Sequence, residues 1–165
     1  MGAQHRAHHG ASWRELADVG RQCRLLAQAC VVAQRQALQA VPERLEAIYR
    51  TVGLVKASLG PQTTLLGFAG SPWTVATYMV AGQGSKDQAA ARRLAFGDPA
   101  AFQAIIDAII DVTVIYLSGQ IEHGVEAVQL FDSWAGSLSP AQFERWVIGP
   151  NTEIVRRLKA MHPDT

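Results

Sequence analysis

Apolar residues recur along this chain in two rhythms, a helical one and short unbroken runs. Leu16, Val19, Cys23, Leu26 and Cys30 step at helical spacing through an Ala/Gln/Arg-rich stretch. Leu45, Ile48, Val52, Val55 and Leu59 do the same after Pro42, which predicts an amphipathic helix from Glu43 to Leu59 with one buried face. Gly60-Pro61 ends it, and Thr63 to Phe68 reads as a strand. Ser71-Pro72 is a helix start, with a hydroxyl at the cap and proline where a missing N–H costs nothing. That short helix runs to about Val80. Ala81-Gly82-Gln83-Gly84 reads as a hinge or lid, and a capping box at Ser85 to Gln88 opens another short helix to about Phe96. Asp98-Pro99 opens the longest helix. Phe102, Ile105, Ile106, Ile109, Ile110, Tyr116 and Leu117 form its broad apolar surface, and Gln103, Asp107, Asp111, Ser118 and Glu122 a solvated face. His123 reads as its C-terminal cap, and Val125 to Phe131 as a buried strand. Ser139-Pro140, with Gln142 three after the serine, starts a helix with Phe143, Trp146 and Val147 inward. Gly149-Pro150 is expected to break it, and Ile154, Val155, Leu158 and Met161 resume the helical step.

The order is therefore α-β-α-α-α-β-α-α. Strands joined by helices pair in parallel through right-handed crossovers, in a sheet covered on both sides. Two strands are too few for such a sheet, so partners are expected beyond this sequence, and its end at Thr165 falls where a further strand is due. Both strands run into polar and aromatic residues: Ala69-Gly70-Ser71-Pro72-Trp73 after the first, Asp132-Ser133-Trp134-Ala135-Gly136 after the second. In parallel α/β folds the carboxyl ends of the strands carry the chemistry, because the loops there are free to hold polar groups. Two such ends suggest one shared cavity.

Composition narrows the options. The 165 residues are 48% hydrophobic, enough for one domain with a core, but a complete eight-stranded α/β barrel needs roughly 200 or more. A net charge of +1 gives no electrostatic case for nucleic acid or an anionic membrane. The most apolar helix contains Asp107, Asp111 and Glu122, which argues against a membrane span. Cys23 and Cys30 lie about 10 Å apart on one helix, too far for a disulfide, and no metal spacing occurs. A reducing cytoplasm fits, and no apolar signal core opens the chain. His5, His8 and His9 lack the further ligands a metal needs and read as part of a disordered start.

The stretch Leu66-Gly67-Phe68-Ala69-Gly70-Ser71-Pro72-Trp73-Thr74, with Tyr78-Met79-Val80 and Gly84-Ser85-Lys86, closely resembles the uroporphyrinogen decarboxylase family. So does Gln129-Leu130-Phe131-Asp132-Ser133-Trp134-Ala135-Gly136 with Leu138-Ser139-Pro140. The resemblance is to the bacterial form and runs from about residue 42 to 165. Residues 1–41 are expected to be an unmatched segment, helical or disordered, arising from a reading-frame change or misplaced start. What the resemblance implies is an α/β fold, part of a (β/α)8 TIM barrel, homodimeric in the family. Its implied reaction removes carboxylate from the four acetate side chains of uroporphyrinogen, in porphyrin and heme biosynthesis. No metal and no cofactor is implied. Protonating an electron-rich pyrrole carbon creates an electron sink, the acetate loses CO2 into it, and a second protonation leaves a methyl group.

By the same resemblance, Tyr78 and Ser133 hydrogen-bond substrate carboxylates or poise the reacting acetate, while Phe68 and Phe131 wall the cleft. Asp132 is given only a supporting role at a turn. The family's arginine clamp, its pyrrole-gathering aspartate and its C-terminal histidine have no counterparts in the matched stretch, so the chain alone is expected to be inactive. Two other readings compete. A corrinoid- or cobalamin-linked methyltransferase barrel needs zinc ligands at strand ends, and both cysteines lie in the unmatched segment. A non-catalytic interaction fragment would expose barrel edges and apolar faces.

Overall fold

A computed structural model describes residues 41–84 and 87–165. Cys23, Cys30, the three N-terminal histidines and the box beginning at Ser85 lie outside the described residues. The elements run α1 (Val41–Ser58), β1 (Leu66–Gly70), α2 (Pro72–Ala81), α3 (Ala89–Gly97), α4 (Pro99–Glu122), β2 (Ala127–Phe131), a 3-10 turn (Ala135–Ser137), α5 (Pro140–Phe143), a π-turn (Glu144–Ile148) and α6 (Gly149–Met161). The strands pair in parallel, Leu66 opposite Ala127 through Gly70 opposite Phe131, so the two motif loops leave the sheet side by side.

α4 is the spine. Asp98 caps it by accepting the Ala101 N–H at 3.1 Å, and Pro99 fills its first turn. Its length and apolar composition would suffice to cross a bilayer, yet here it is the central core helix, packed on α1, α2, α3, β1 and α6. Phe102 is fully buried between two indoles, 5.6 Å from Trp73 and 4.9 Å from Trp146 by ring centres, edge-on to both. The polar face of α4 is more than solvated. Asp107 does face water, but Asp111 accepts Arg157 at 2.7 Å, and Ser118 lies 2.6 Å from His162, so this face also docks α6 and its cap.

Several expectations need correction. On α1, Ile48 and Val55 are exposed, and the buried centre is Tyr49, stacked on the His123 ring at 5.3 Å. The flat phenol fits against imidazole where a branched aliphatic would not. His123 does cap α4, with Nδ1 2.7 Å from the Gly119 carbonyl. Ser71 sits at the cap of α2, but its hydroxyl makes no capping bond and is buried without a partner among the described residues. Gln142 accepts the Trp146 indole N–H instead of closing a box. Gly149-Pro150 does not break the helix. The preceding turn widens to a π-turn, which absorbs a proline that has no N–H to return.

The sheet also differs from expectation. β2 is not buried throughout. Helices cover only the face carrying Gly67, Ala69, Val128 and Leu130, while Leu66, Phe68, Gln129 and Phe131 are exposed on the other. Gly67 has a specific reason to be glycine. A Cβ there would lie 2.6 Å from Gln120 Oε1 and 2.8 Å from a Val125 methyl, both on buried side chains. Gly67→Ala is expected to cost about 1–3 kcal/mol through overpacking, measured by urea denaturation. At the amino ends of the strands, Glu126 accepts Lys56 Nζ at 2.6 Å and the Leu65 N–H at 3.0 Å, and these bonds hold its carboxyl below the usual range. Gly124, at φ 105°, makes the turn into β2 there, against the Lys56 stem.

Candidate active site

Of the site residues expected from sequence, Phe68 and Phe131 lie on β1 and β2, Ser133 in the loop after β2, and Tyr78 on α2. Phe68 and Phe131 lie on the bare face of the sheet with ring centres 5.9 Å apart, edge to face, 60% and 48% exposed. Residues of the same pleat parity face the same side, and the parallel register brings these two rings together. The exit of β1 is locked to the end of β2, because the Ser71 N–H donates to the Phe131 carbonyl at 2.7 Å.

Beyond that point one residue joins the two motif loops. Thr74, in the first turn of α2, donates its hydroxyl to Asp132 Oδ1 at 2.5 Å and accepts the Trp134 N–H at 3.3 Å. Ser133, exposed, sits between the two residues that Thr74 holds. Tyr78 lies one helical turn after Thr74, on the same stripe of α2, and is also exposed. The Tyr78 carbonyl accepts the Gly82 N–H at 2.8 Å, where the helix ends in a left-handed glycine. The loop after β2 is tied further down by the Ser137 hydroxyl donating to Gln88 Oε1 at 2.8 Å.

Asp132 does more than turn a loop. Burial raises its carboxyl above the ordinary aspartate range, outweighing the bonds from Thr74 and the Thr74 and Trp134 amides that favour its charge. Its Oδ2 is buried with no partner among the described residues. Sequence reasoning quoted Thr74 within a motif without giving it work. It also missed Gln120, whose amide accepts the Phe68 N–H and donates to the Phe68 carbonyl, both at 3.2 Å. A signal was there. Thr113, Leu117 and Gln120 share the core stripe of α4, so a glutamine on it needs a buried partner.

A groove of about 470 Å3 lies elsewhere, between α1 and the carboxyl end of α4, lined by Glu43, Glu46, Tyr49, Gly119, Glu122 and His123. None of the residues expected to meet substrate touches it. Among the described residues no three His, Cys, Asp or Glu side chains come together as a metal site.

Parallel strands crossed over by helices, with aromatic, hydroxyl and carboxyl groups at their carboxyl ends, define an α/β protein built on a parallel sheet. The model of the uroporphyrinogen decarboxylase (URO-D) family matches residues 21–165, and the chain belongs to that family. It is 79% identical over 128 residues to a uroporphyrinogen decarboxylase of Sphingopyxis alaskensis, covering 78% of this chain and 37% of that protein. Over 132 residues it is 71% identical to the enzyme of that name from Erythrobacter litoralis, covering 80% of this chain and 39% of that protein. The Rhizorhabdus wittichii protein of the same name is 69% identical over 126 residues, covering 76% and 37% respectively. The chain thus spans less than two-fifths of the length of these curated relatives.

Proposed function

We propose that this chain forms part of the barrel and substrate mouth of a cytoplasmic uroporphyrinogen decarboxylase, homodimeric as its resemblance implies. The observation that carries the reading is the pairing of Phe68 with Phe131 on one bare sheet face, beside two loops locked by Thr74 and Asp132. An edge-to-face aromatic wall suits a flat, electron-rich pyrrole ring. The Tyr78 hydroxyl can donate to a substrate carboxylate, and the Ser133 hydroxyl, on the neighbouring loop, can hold the reacting acetate. Each bond to a charged group contributes about 1.5–3 kcal/mol.

The reaction needs a proton delivered to a pyrrole carbon, an acetate oriented for loss of CO2, and the surplus negative charge of the macrocycle balanced. The described residues offer orientation and walls. Charge balance and gathering of the pyrrole N–H groups fall to the arginine clamp and aspartate that the matched motifs lack. Binding walls without those groups do not lower the barrier, since only interactions stronger in the transition state do so. Residues 1–20, ahead of the family match, are proposed to lie outside this unit.

The 165-residue chain is expected to convert no uroporphyrinogen to coproporphyrinogen, assayed by chromatography of the oxidised porphyrins. A barrel restored with the flanking segments of the Sphingopyxis alaskensis relative should do so. In that restored protein Tyr78→Phe and Ser133→Ala are each expected to lower kcat/KM by about tenfold to a hundredfold. Unchanged kinetics in both would remove the assignment.

A further inference from the structure

Helix α2 is capped from the loop of a neighbouring strand. Its own cap residue, Ser71, keeps its hydroxyl out of the first turn. The Thr74 amide, a donor that a cap oxygen commonly takes, bonds instead to the carboxyl of Asp132, which also accepts the Thr74 hydroxyl at 2.5 Å. The same hydroxyl accepts the Trp134 N–H at 3.3 Å. One threonine side chain therefore brackets Ser133, holding the residue before it and the residue after it. α2 is a firm reference for that grip, because Pro72, Trp73, Ala76 and Thr77 anchor it in the core. Tyr78 stands on the same helix, one turn beyond Thr74. Ser133 itself lies in an exposed turn, so its place depends on what holds its neighbours.

We propose that Thr74, bound to Asp132 and Trp134, is a positioning residue that fixes the Ser133 hydroxyl relative to Tyr78 for decarboxylation of the acetate. The inference rests on the substrate reading of Tyr78 and Ser133 given above. The Thr74 hydroxyl donates to one group of the loop after β2 and accepts from another, so it acts through Ser133 and not on substrate. Placement of a group that poises the reacting acetate matters steeply, since a displacement of about 1 Å costs on the order of a hundredfold in rate. The macrocycle is gripped through many groups, whereas reaction at one acetate depends on the few that orient it. Loss of the threonine grip therefore falls on kcat and largely spares KM.

The test is a double-mutant cycle in the barrel restored with the flanking segments of the Sphingopyxis alaskensis relative. Thr74→Val is expected to lower kcat about tenfold and to leave KM within about twofold. Thr74→Ser keeps the hydroxyl and should retain at least about a third of kcat. With Ser133→Ala already in place, Thr74→Val should lower kcat by less than about threefold further, because no hydroxyl remains to be placed. A merely structural threonine would cost the same factor in either background. Full additivity of the two substitutions, a loss confined to KM, or a Thr74→Ser no better than Thr74→Val would each overturn the positioning role while the reading of Ser133 stands. If Ser133→Ala alone leaves kcat/KM unchanged, that reading fails and the proposal falls with it. Should Thr74→Val not fold, Asp132→Asn takes its place in the cycle. It keeps the shape and loses the charge that draws the Thr74 amide and hydroxyl, so kcat should fall about threefold or more, again without adding to Ser133→Ala. An additive result there overturns the proposal equally.

Discussion

Phe102→Ala is expected to lower the unfolding free energy by about 3–5 kcal/mol, a large share of the about 5–15 kcal/mol typical of a folded domain. The ring is fully buried and touches an indole on either side, one from α2 and one from the π-turn. Truncation removes its own burial and leaves a cavity between two rigid rings that cannot close together without moving their helices. It also deletes two edge-to-face contacts, each contributing about 0.5–1.5 kcal/mol. Phe102→Leu refills much of the volume and should cost clearly less. Urea denaturation of both variants reads the difference. A Phe102→Ala cost below about 1 kcal/mol would mean that the three rings do not form the centre of the core.

Thr74→Val is the second large effect. It preserves shape but removes the hydroxyl that donates to Asp132 and accepts from Trp134. A hydrogen bond to a charged group contributes about 1.5–3 kcal/mol, and the variant leaves Asp132 Oδ1 without this donor. The sign of its pH dependence follows from Asp132. Burial raises the folded-state pKa above the unfolded value, so the folded state holds the proton more tightly. Stability from this group is present below the unfolded pKa and is lost as pH rises through the raised folded value. The threonine hydroxyl offsets that loss by binding the ionised form. The cost of Thr74→Val should therefore be largest near neutral pH and shrink toward pH 4. Denaturation at both pH values checks this, and a cost that grows on acidification would place the charge elsewhere. Loosening of the Ser133 loop should accompany it, seen as faster amide exchange at Trp134.

Elements whose signals are local were legible in the sequence. Asp98-Pro99 fixed the start of α4 because cap and proline act within one turn. The two strands could be found because short apolar runs ended in glycine and hydroxyl residues. Their bounds moved by two to three residues, from Thr63 to Leu66 and from Val125 to Ala127. What depended on contacts far along the chain was not legible. Which face of α1 is buried turns on a ring stack between Tyr49 and His123, 74 positions apart. The survival of helix through Pro150 depends on a wider turn that no residue pattern announces. The bare face of β2 follows from which strands are at hand, and the residues of β2 do not encode it. At the site, the motif glycines, aromatics and hydroxyls were visible, but the working pair Thr74 and Asp132 joins positions on different loops and emerges only when the strands stand in register.

The sheet is fastened differently at its two ends. Glu126 holds the amino ends through a water-exposed ion pair with Lys56, which dissolved salt weakens. The carboxyl ends are held by short bonds from Ser71 and Thr74 that ionic strength barely reaches. Tuning the lower fastening by charge exchange would thus leave the upper geometry standing.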